Sequence, residues 1–403
     1  MNADQPLPKL RAVDVFPFRG DGGEVYLALR DSSRLAERQL AVSPPGYFIL
    51  AHFDGRHTIG DVQAAFLRQF GQRIATQQIA KLVHQLDQAL LLQNERFERA
   101  YQARCDEYLA SKARDNRDRW PSAPELRAEL ESLLSQDGQP PRAAAAIRGI
   151  IAPHLDYARG APCYAAAYRA LADAPPADRY VILGTNHFGR SCAVVATRKD
   201  FHTPLGRVAT DRGFIDRIEA RLGASICDHE FDHVPEHSVE LQVHLLQVLR
   251  GARSFTIVPV LCPDPAGPTG TRPRDGRGPD LGDFADALRD LLLDEDVPTQ
   301  LIAGADLSHV GQRFGDDQPT TPEFLKRVGD SDRRLLKLLE RRKEEEFVER
   351  VRRTENATRI CSVGCIYTLL RALLGHACRV LAYHQAVDMS SETHVTCAAA
   401  VIE

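Results

Sequence analysis

Three of the 14 histidines in this 403-residue chain follow short apolar runs. Residues 147–153 end at His154, the run 179–184 continues into Thr185-Asn186-His187, and 299–304 continues into Ala305-Asp306-Leu307-Ser308-His309. Runs of this length read as buried strands of an α/β sheet, whose reactive groups sit on the loops leaving the carboxyl ends of the strands. His154, His187 and His309 are therefore expected to emerge at one sheet edge and to converge without any local metal-binding spacing. Neutral imidazoles are ligands for iron, zinc and copper.

Other residues add to this set. Glu236-His237-Ser238-Val239-Glu240 opens a predicted helix over 237–249, which puts His237 and Glu240 on one face, with His244 two turns from His237. One acid facing the pocket would hold a histidine tautomer or steady a metal ligand from behind. Asp306 and His309, three residues apart beyond a strand, suit a carboxylate and an imidazole acting together as a base or a substrate clamp. His229, Asp232 and His233, in the preceding polar loop, are placed to cap the same opening. Cys361 and Cys365 stand at the start of a predicted helix over 361–374, where a lowered thiol pKa favours the thiolate and hence metal ligation or nucleophilic reactivity. The apolar neighbours Ile366, Leu369 and Leu370 also suit simple burial of Cys365. His52, His57, His84 and His376 lack polar company and read as ordinary surface or core residues.

The elements that must position these groups alternate from residue 147 onward. Strands are predicted over 147–152, 179–184, 192–197, 254–261, 299–304, 379–387 and 395–401. Helices are predicted over 161–171, 211–222, 237–249 and 284–293, around 335–339 and 344–351, and from 361 to 374, with a long Gly/Pro/Asp-rich loop at 263–280. Continuous apolar strands separated by helices give an α/β fold, a central mixed sheet with helices on both faces. A composition of 43% apolar and 26% charged residues is ordinary for a globular protein, and a net charge of -4 gives no electrostatic reason for a nucleic-acid partner. The N-terminus is polar, with Pro6 and Pro8, and no apolar run reaches the roughly 18 residues of a membrane span, so a cytoplasmic protein with no membrane partner is expected. Nine cysteines without regular spacing read as free thiols.

Before residue 95 the pattern differs. Residues 10–50 read as short strands or extended pieces broken by turns, including 47–50 after Ser43-Pro44-Pro45-Gly46. Thr58 with Asp61 opens a helix that Gly71 stops, Thr76 caps a second helix, and Leu91-Leu92 lead into a short strand. Residues 1–95 thus form a small winged-helix-like domain. Its second helix carries Lys81 and His84 against Asp87, too little positive charge for a DNA-reading helix. Residues 96–141, strongly charged and then Pro-rich, are read as a helical linker with a hinge at 136–141, ahead of an α/β domain over 142–403.

Several motifs in the same order carry a resemblance to a known family. Ile151-Ala-Pro-His154-x-Asp-Tyr157, Ile182-Leu-Gly-Thr-Asn-His187, Glu236-His237-Ser-x-Glu240-x-Gln-x-His244, Ile257-Val-Pro-Val260 and Ala305-Asp306-Leu-Ser-His309-x-Gly-Gln-Arg-Phe314 resemble the Memo family, called AmmeMemoRadiSam system protein B in bacteria. The family is similar in fold to the class III extradiol ring-cleaving dioxygenases. The resemblance implies His154, His187 and Cys361 as metal ligands, with His309, His237 and Asp306 as catalytic pocket residues. It implies ferrous iron first, with copper or zinc as alternatives, and a catechol-like or peptide-borne aromatic substrate. It also implies partners of the radical-SAM and AMMECR1-like kinds. The alternative it leaves open is a non-catalytic iron- or copper-binding or partner-binding adaptor. Two positions depart from the family pattern: Ser308 stands where cysteine is frequent, and Ser362-Val363-Gly364-Cys365 replaces Gly-Arg-His-Pro after Cys361, which leaves Cys365 as an alternative ligand. Asp54-Gly55-x-x-Thr58-Ile59-x-Asp61-Val62 also resembles the PqqD-type peptide-recognition domain, which implies a peptide bound by residues 1–95.

Overall fold

The computed structural model describes residues 5–20, 22–31, 35–36, 39–135 and 147–403. The chain divides into two compact units, Met1–Ser111 and Lys112–Glu403. In the first, β1 (Lys9–Leu10), β2 (Val13–Arg19), β3 (Val25–Asp31) and β4 (Leu40–Val42) precede α1 (Pro44–Leu50), α2 (Ile59–Phe70), α3 (Thr76–Gln88), β5 (Leu92–Gln93) and α4 (Glu95–Ala110). Strands β2, β3 and β4 form an antiparallel sheet, and β1 pairs with β5. Helix α2 opens on a reciprocal cap between Thr58 and Asp61 and closes on Gly71 at φ 67°. Ile59, Val62, Ile79, Val83 and Leu86 from α2 and α3 form the core with Leu29, Ile49 and Leu50. Residues 47–50, read as extended from the sequence, are helical instead. Ser43 accepts the amide of Gly46, and Pro44 and Pro45 supply the fixed φ of a first helical turn.

The second unit begins with β6 (Ala113–Asp115) and α5 (Ala123–Leu134), then β7 (Gly149–Ala152), α6 (Tyr157–Asp173), β8 (Arg179–Thr185), β9 (Val195–Ala196), β10 (Asp200–Thr203), β11 (Gly206–Thr210) and α7 (Arg212–Leu222). It continues through α8 (Ser238–Arg250), β12 (Thr256–Cys262), α9 (Leu281–Asp294), β13 (Thr299–Gly304) and β14 (Asp306–Val310). Helices α10 (Pro322–Glu340), α11 (Glu344–Arg353) and α12 (Val363–Ala372) lead to the closing strands β15 (Cys378–Asp388) and β16 (Thr393–Ile402). Among the described residues these strands form an 11-stranded sheet with the path β14-β16-β7-β13-β8-β12-β11-β10-β6. Strands β7, β13, β8 and β12 run parallel, and β16 closes antiparallel onto β7.

Alternation along the central strands feeds two cores. Ile150, Ala152, Tyr180 and Ile182 join residues of α5, α6 and α8 on one face, while Ile151, Val181 and Leu183 join residues of α9 and α12 on the other. Strands buried on both faces are apolar at every position, which is why they read as continuous runs. The central mixed sheet covered by helices on both faces is the fold expected from the sequence.

Two local expectations change. Residues 96–141, read as a linker, are shared out: α4 lies in the first unit, and β6 and α5 are built into the second, where β6 pairs with β10. The charges of this stretch misled because one of them, Arg114, is buried. The hinge at 136–141 and the boundary at 141–142 lie outside the described residues. Residues 306–309, read as a loop beyond β13, form β14, because the antiparallel β16 offers an edge for them to pair with. Among the described residues no helix is long and apolar enough to cross a membrane.

Candidate metal centre

His154 leaves the end of β7 and His187 the end of β8, as the strand-end rule requires. The Nδ1 of His154 lies 2.8 Å from the carbonyl oxygen of Gly304 at the end of β13, to which it donates. That bond turns Nε2 towards Cys361, whose Sγ lies 3.3 Å away. The Nδ1 of His187 is held by Glu236, 3.1 and 3.2 Å from its two carboxylate oxygens, which leaves Nε2 of that ring for Cys361. An imidazole bonded at one nitrogen presents the other as a ligand in a fixed tautomer. Ligand atoms of His154, His187 and Cys361 all lie within 4.8 Å of one another.

The donor set fits a transition metal. A thiolate and an imidazole sharing one tetrahedral ion stand about 3.5 Å apart, close to the separation of Cys361 and His154. Without a metal, electrostatics favour the thiolate of Cys361 and the protonated forms of both rings, whose protons a metal would have to displace. Burial raises the Cys361 thiol, but the imidazoliums of His154 and His187 outweigh it and hold the group well below its ordinary value. Burial pushes His154 down, yet the Asp306 carboxylate and the Cys361 thiolate bring it up to about 10. For His187, burial is again overcome, here by Glu236. The protons on these rings occupy the place of the charge a cation would bring.

Around the triad the structure places the remaining expected residues unevenly. His237 stacks on His187 with ring centroids 5.5 Å apart and stands 5.8 Å from His154. Burial pushes His237 down to about 4. Asp306 is buried, and its Oδ1 accepts the amides of His154 at 3.0 Å and Leu155 at 3.3 Å, while Oδ2 lies 3.5 Å from Nε2 of His154. Its role is to clamp the loop that carries His154. His309 lies on β14 with Nδ1 3.1 Å from the Leu307 carbonyl and its ring edge-on to Phe314. Through its backbone it binds Thr358 and Arg359, in the turn that leads to Cys361. Ser308 faces away from the triad, its Oγ donating to Asp332 and lying 2.8 Å from Thr358 Oγ1. Cys365 is sealed on α12 with its Sγ 3.5 Å from Thr185 Oγ1, so Cys361, which precedes the helix, is the thiol that joins the histidines.

Glu240 does not turn towards the histidines. It pairs with Arg114 at 3.0 Å, both side chains 2% exposed, while Glu236 takes the orienting role. Of the polar loop, Asp232 accepts Asn186 Nδ2 and the amides of Arg190 and Ser191, and so shapes the turn behind His187. His233 is buried against the Val195 carbonyl, and His229 is exposed. Ser362, in the sequence only the first residue of a departure from the family pattern, has a structural part here. Its Oγ accepts the amide of Asp306 at 3.1 Å and lies 3.3 Å from Cys361 Sγ and 3.2 Å from Thr185 Oγ1. Next to it, a Cβ on Gly364 would stand 1.9 Å from the Pro263 carbonyl oxygen, so only glycine lets α12 approach the end of β12 this closely.

A sequence profile of the family described as Memo-like protein matches residues 120–402. The chain belongs to the Memo-like family. A MEMO1 family protein of Aquifex aeolicus is 26% identical over 353 residues, 88% of this chain and 87% of the relative. One of Thermus thermophilus is 29% identical over 342 residues, 84% of this chain and 96% of the relative. The protein memo-1 homolog of Caenorhabditis elegans is 25% identical over 253 residues, 62% of this chain and 66% of its own. All the residues of the His154, His187 and Cys361 cluster, with Glu236, His237 and Asp306 around it, fall inside the Memo-like match, whereas Arg114 lies before it.

Proposed function

We propose that this Memo-like protein is a metal protein in which His154, His187 and Cys361 hold one ion, ferrous iron before copper or zinc. We further propose that it oxidises a catechol-like or peptide-borne aromatic substrate within a radical-SAM-associated system. The observation that supports the reading is the convergence of three ligand atoms within 4.8 Å while the far nitrogen of each imidazole is already engaged, one by Gly304 and one by Glu236. When bound, ferrous iron supplies the one-electron chemistry that oxidative opening of an aromatic diol needs.

The protein's own residues do the rest of the work. His237, held neutral at neutral pH, stands over His187 and is available to accept a proton from an incoming hydroxyl. Asp306 fixes the His154 loop, and Glu236 fixes the His187 ring. The soft thiolate of Cys361 favours a second reading, a non-catalytic iron- or copper-binding adaptor.

Metal analysis of anaerobically purified protein tests the first step. His154→Ala and Cys361→Ala should each lose most of the bound metal, and retention at the unmutated level in both would end the ligand assignment. Oxygen uptake by the iron-loaded protein with a panel of catechols then separates the two readings. Substrate-dependent uptake supports the oxidative one, and its absence leaves the adaptor.

A further inference from the structure

A cleft of about 480 Å³ opens beside the metal ligands and is lined by residues from three segments of the second unit. The turn after β8 contributes His187 and Cys192, the loop after β12 contributes Asp264, Arg272 and Arg274, and the turn before α12 contributes Arg359 and Cys361. The volume lies in the range of small-molecule sites. Its charge is one-sided, with three guanidiniums against the single carboxylate of Asp264.

These charges are not equally free. Arg359 is committed to Asp316 at 2.6 Å and to the His309 carbonyl at 3.1 Å. Asp264 accepts the amide of Ala266 at 2.8 Å. The nearby Asp280 is taken up by capping α9 and by Thr271 Oγ1. Among the described residues Arg274 has only a 3.8 Å contact with Cys192 Sγ across the cleft. Among the described residues the guanidinium of Arg272 meets no hydrogen-bond or ion-pair partner. The loop that carries both arginines is nevertheless anchored. Arg352 donates to the Pro265 carbonyl at 2.8 Å, the amide of Leu281 donates to the Thr271 carbonyl at 3.0 Å, and Gly364 packs on Pro263. Two uncommitted guanidiniums on an anchored rim, facing a cleft that ends at His187 and Cys361, form a recognition edge for an acid group.

We propose that the cleft selects a small aromatic substrate bearing a carboxylate, which Arg272 and Arg274 hold while the rest of the molecule points towards His187 and Cys361. This assignment of substrate class rests on the metal-centre reading for what happens at the inner end, but the arginine subsite itself needs no metal. The probes are 3,4-dihydroxybenzoate and catechol, which differ by the carboxylate alone. Their binding to the full chain is measured by anaerobic titration calorimetry, with metal content determined on the same sample.

The carboxylate probe should bind at least about tenfold more tightly at low ionic strength, the scale of one charge-assisted hydrogen bond, and added salt should shrink the advantage. The double variant Arg272→Glu/Arg274→Glu, two exposed substitutions, should abolish the preference with metal content unchanged. Equal affinities, no binding of either probe, or a preference that survives the charge reversal would overturn the proposal. A metal-loaded sample without preference leaves the metal centre standing and removes the carboxylate subsite. A metal-free sample that keeps an arginine-dependent preference does the reverse.

Discussion

At the N-terminal end of α8 the carboxylate of Glu236 meets the imidazoles of His187 and His237 beside a cleft. One turn further along, the carboxylate of Glu240 meets Arg114, with His244 next to it, and no solvent reaches either acid or base. The two glutamates are equally buried, with side-chain exposures of 1% for Glu236 and 2% for Glu240. What separates them is the partner. Glu236 is matched to rings that can exchange a proton for a metal, whereas Glu240 is matched to a guanidinium that is always charged. The first arrangement is open to chemistry, and the second is a fixed part of the core.

The largest effect should come from breaking the sealed pair. Arg114→Ala leaves Glu240 buried without its counter-charge and removes donors to the carbonyls of His233 and Glu236. Such losses cost about 3–5 kcal/mol, to be read from urea unfolding of the metal-free protein. Arg114→Met combined with Glu240→Leu should recover most of that stability, because it removes both charges together. If Arg114→Ala unfolds like the parent, the sealed end has no structural role and the contrast along α8 collapses.

The pH dependence should have opposite signs for His244 and for the candidate ligand His154. Burial pushes His244 down to about 4, below its ordinary value of 6.5. The unfolded chain therefore binds a proton that the native state refuses, so the stability contribution is full above about pH 6.5 and is lost as pH falls towards 4. His233, pushed down to about 3, acts in the same direction. A group with the shift of His244 accounts for up to about 3 kcal/mol, and His244→Gln should flatten the fall of the urea midpoint between pH 7 and 4.5. In the metal-free protein His154 behaves in reverse. Its pKa of about 10 means a contribution present below 6.5 and lost as pH rises through 10.

At the open end, Glu236→Gln should weaken metal binding by about 10- to 100-fold in chelator competition, with a smaller loss of stability than Arg114→Ala. Unchanged affinity would show that the ring of His187 needs no carboxylate behind it. Metal affinity and stability would then no longer divide between the two ends of the helix.

The pattern of strand ends made much of this arrangement legible. His154 and His187 are readable because a parallel strand buried on both faces is a continuous apolar run, and the chain beyond its carboxyl end has to turn at the sheet edge. Glu236 was harder to place. Helical periodicity points from His237 to Glu240, but Glu236 precedes the helix and reaches His187 through the loop, where a period of 3.6 has no force. Arg114 was hidden in a run of alternating charge that normally marks a solvated surface, and only the pairing of β6 with β10 takes it inside. Ser362 stood out only as part of a departure from the family pattern, since the role of a serine shows only once Asp306, Thr185 and Cys361 are brought around it.

The smallest expected effect repeats the contrast of α8 on α12. Cys361 and Cys365 are four residues apart, the spacing that stacks side chains on one helical face. The helix begins only at Val363, however, so the rule does not join them, and the two thiols part company. Cys361 turns to His154 at 3.3 Å, whereas Cys365 enters the core against Thr185 and Cys262, and burial raises its thiol well above the ordinary value. A protonated thiol in an apolar setting is a small hydrophobe rather than a ligand. Cys365→Ala should therefore cost about 1 kcal/mol of stability and leave metal content unchanged, while Cys361→Ala should do the opposite. Loss of metal from the Cys365 variant at full stability would transfer the ligand role to the thiol one helical turn further in. It would also mean that burial does not separate the two cysteines as their partners separate Glu236 from Glu240.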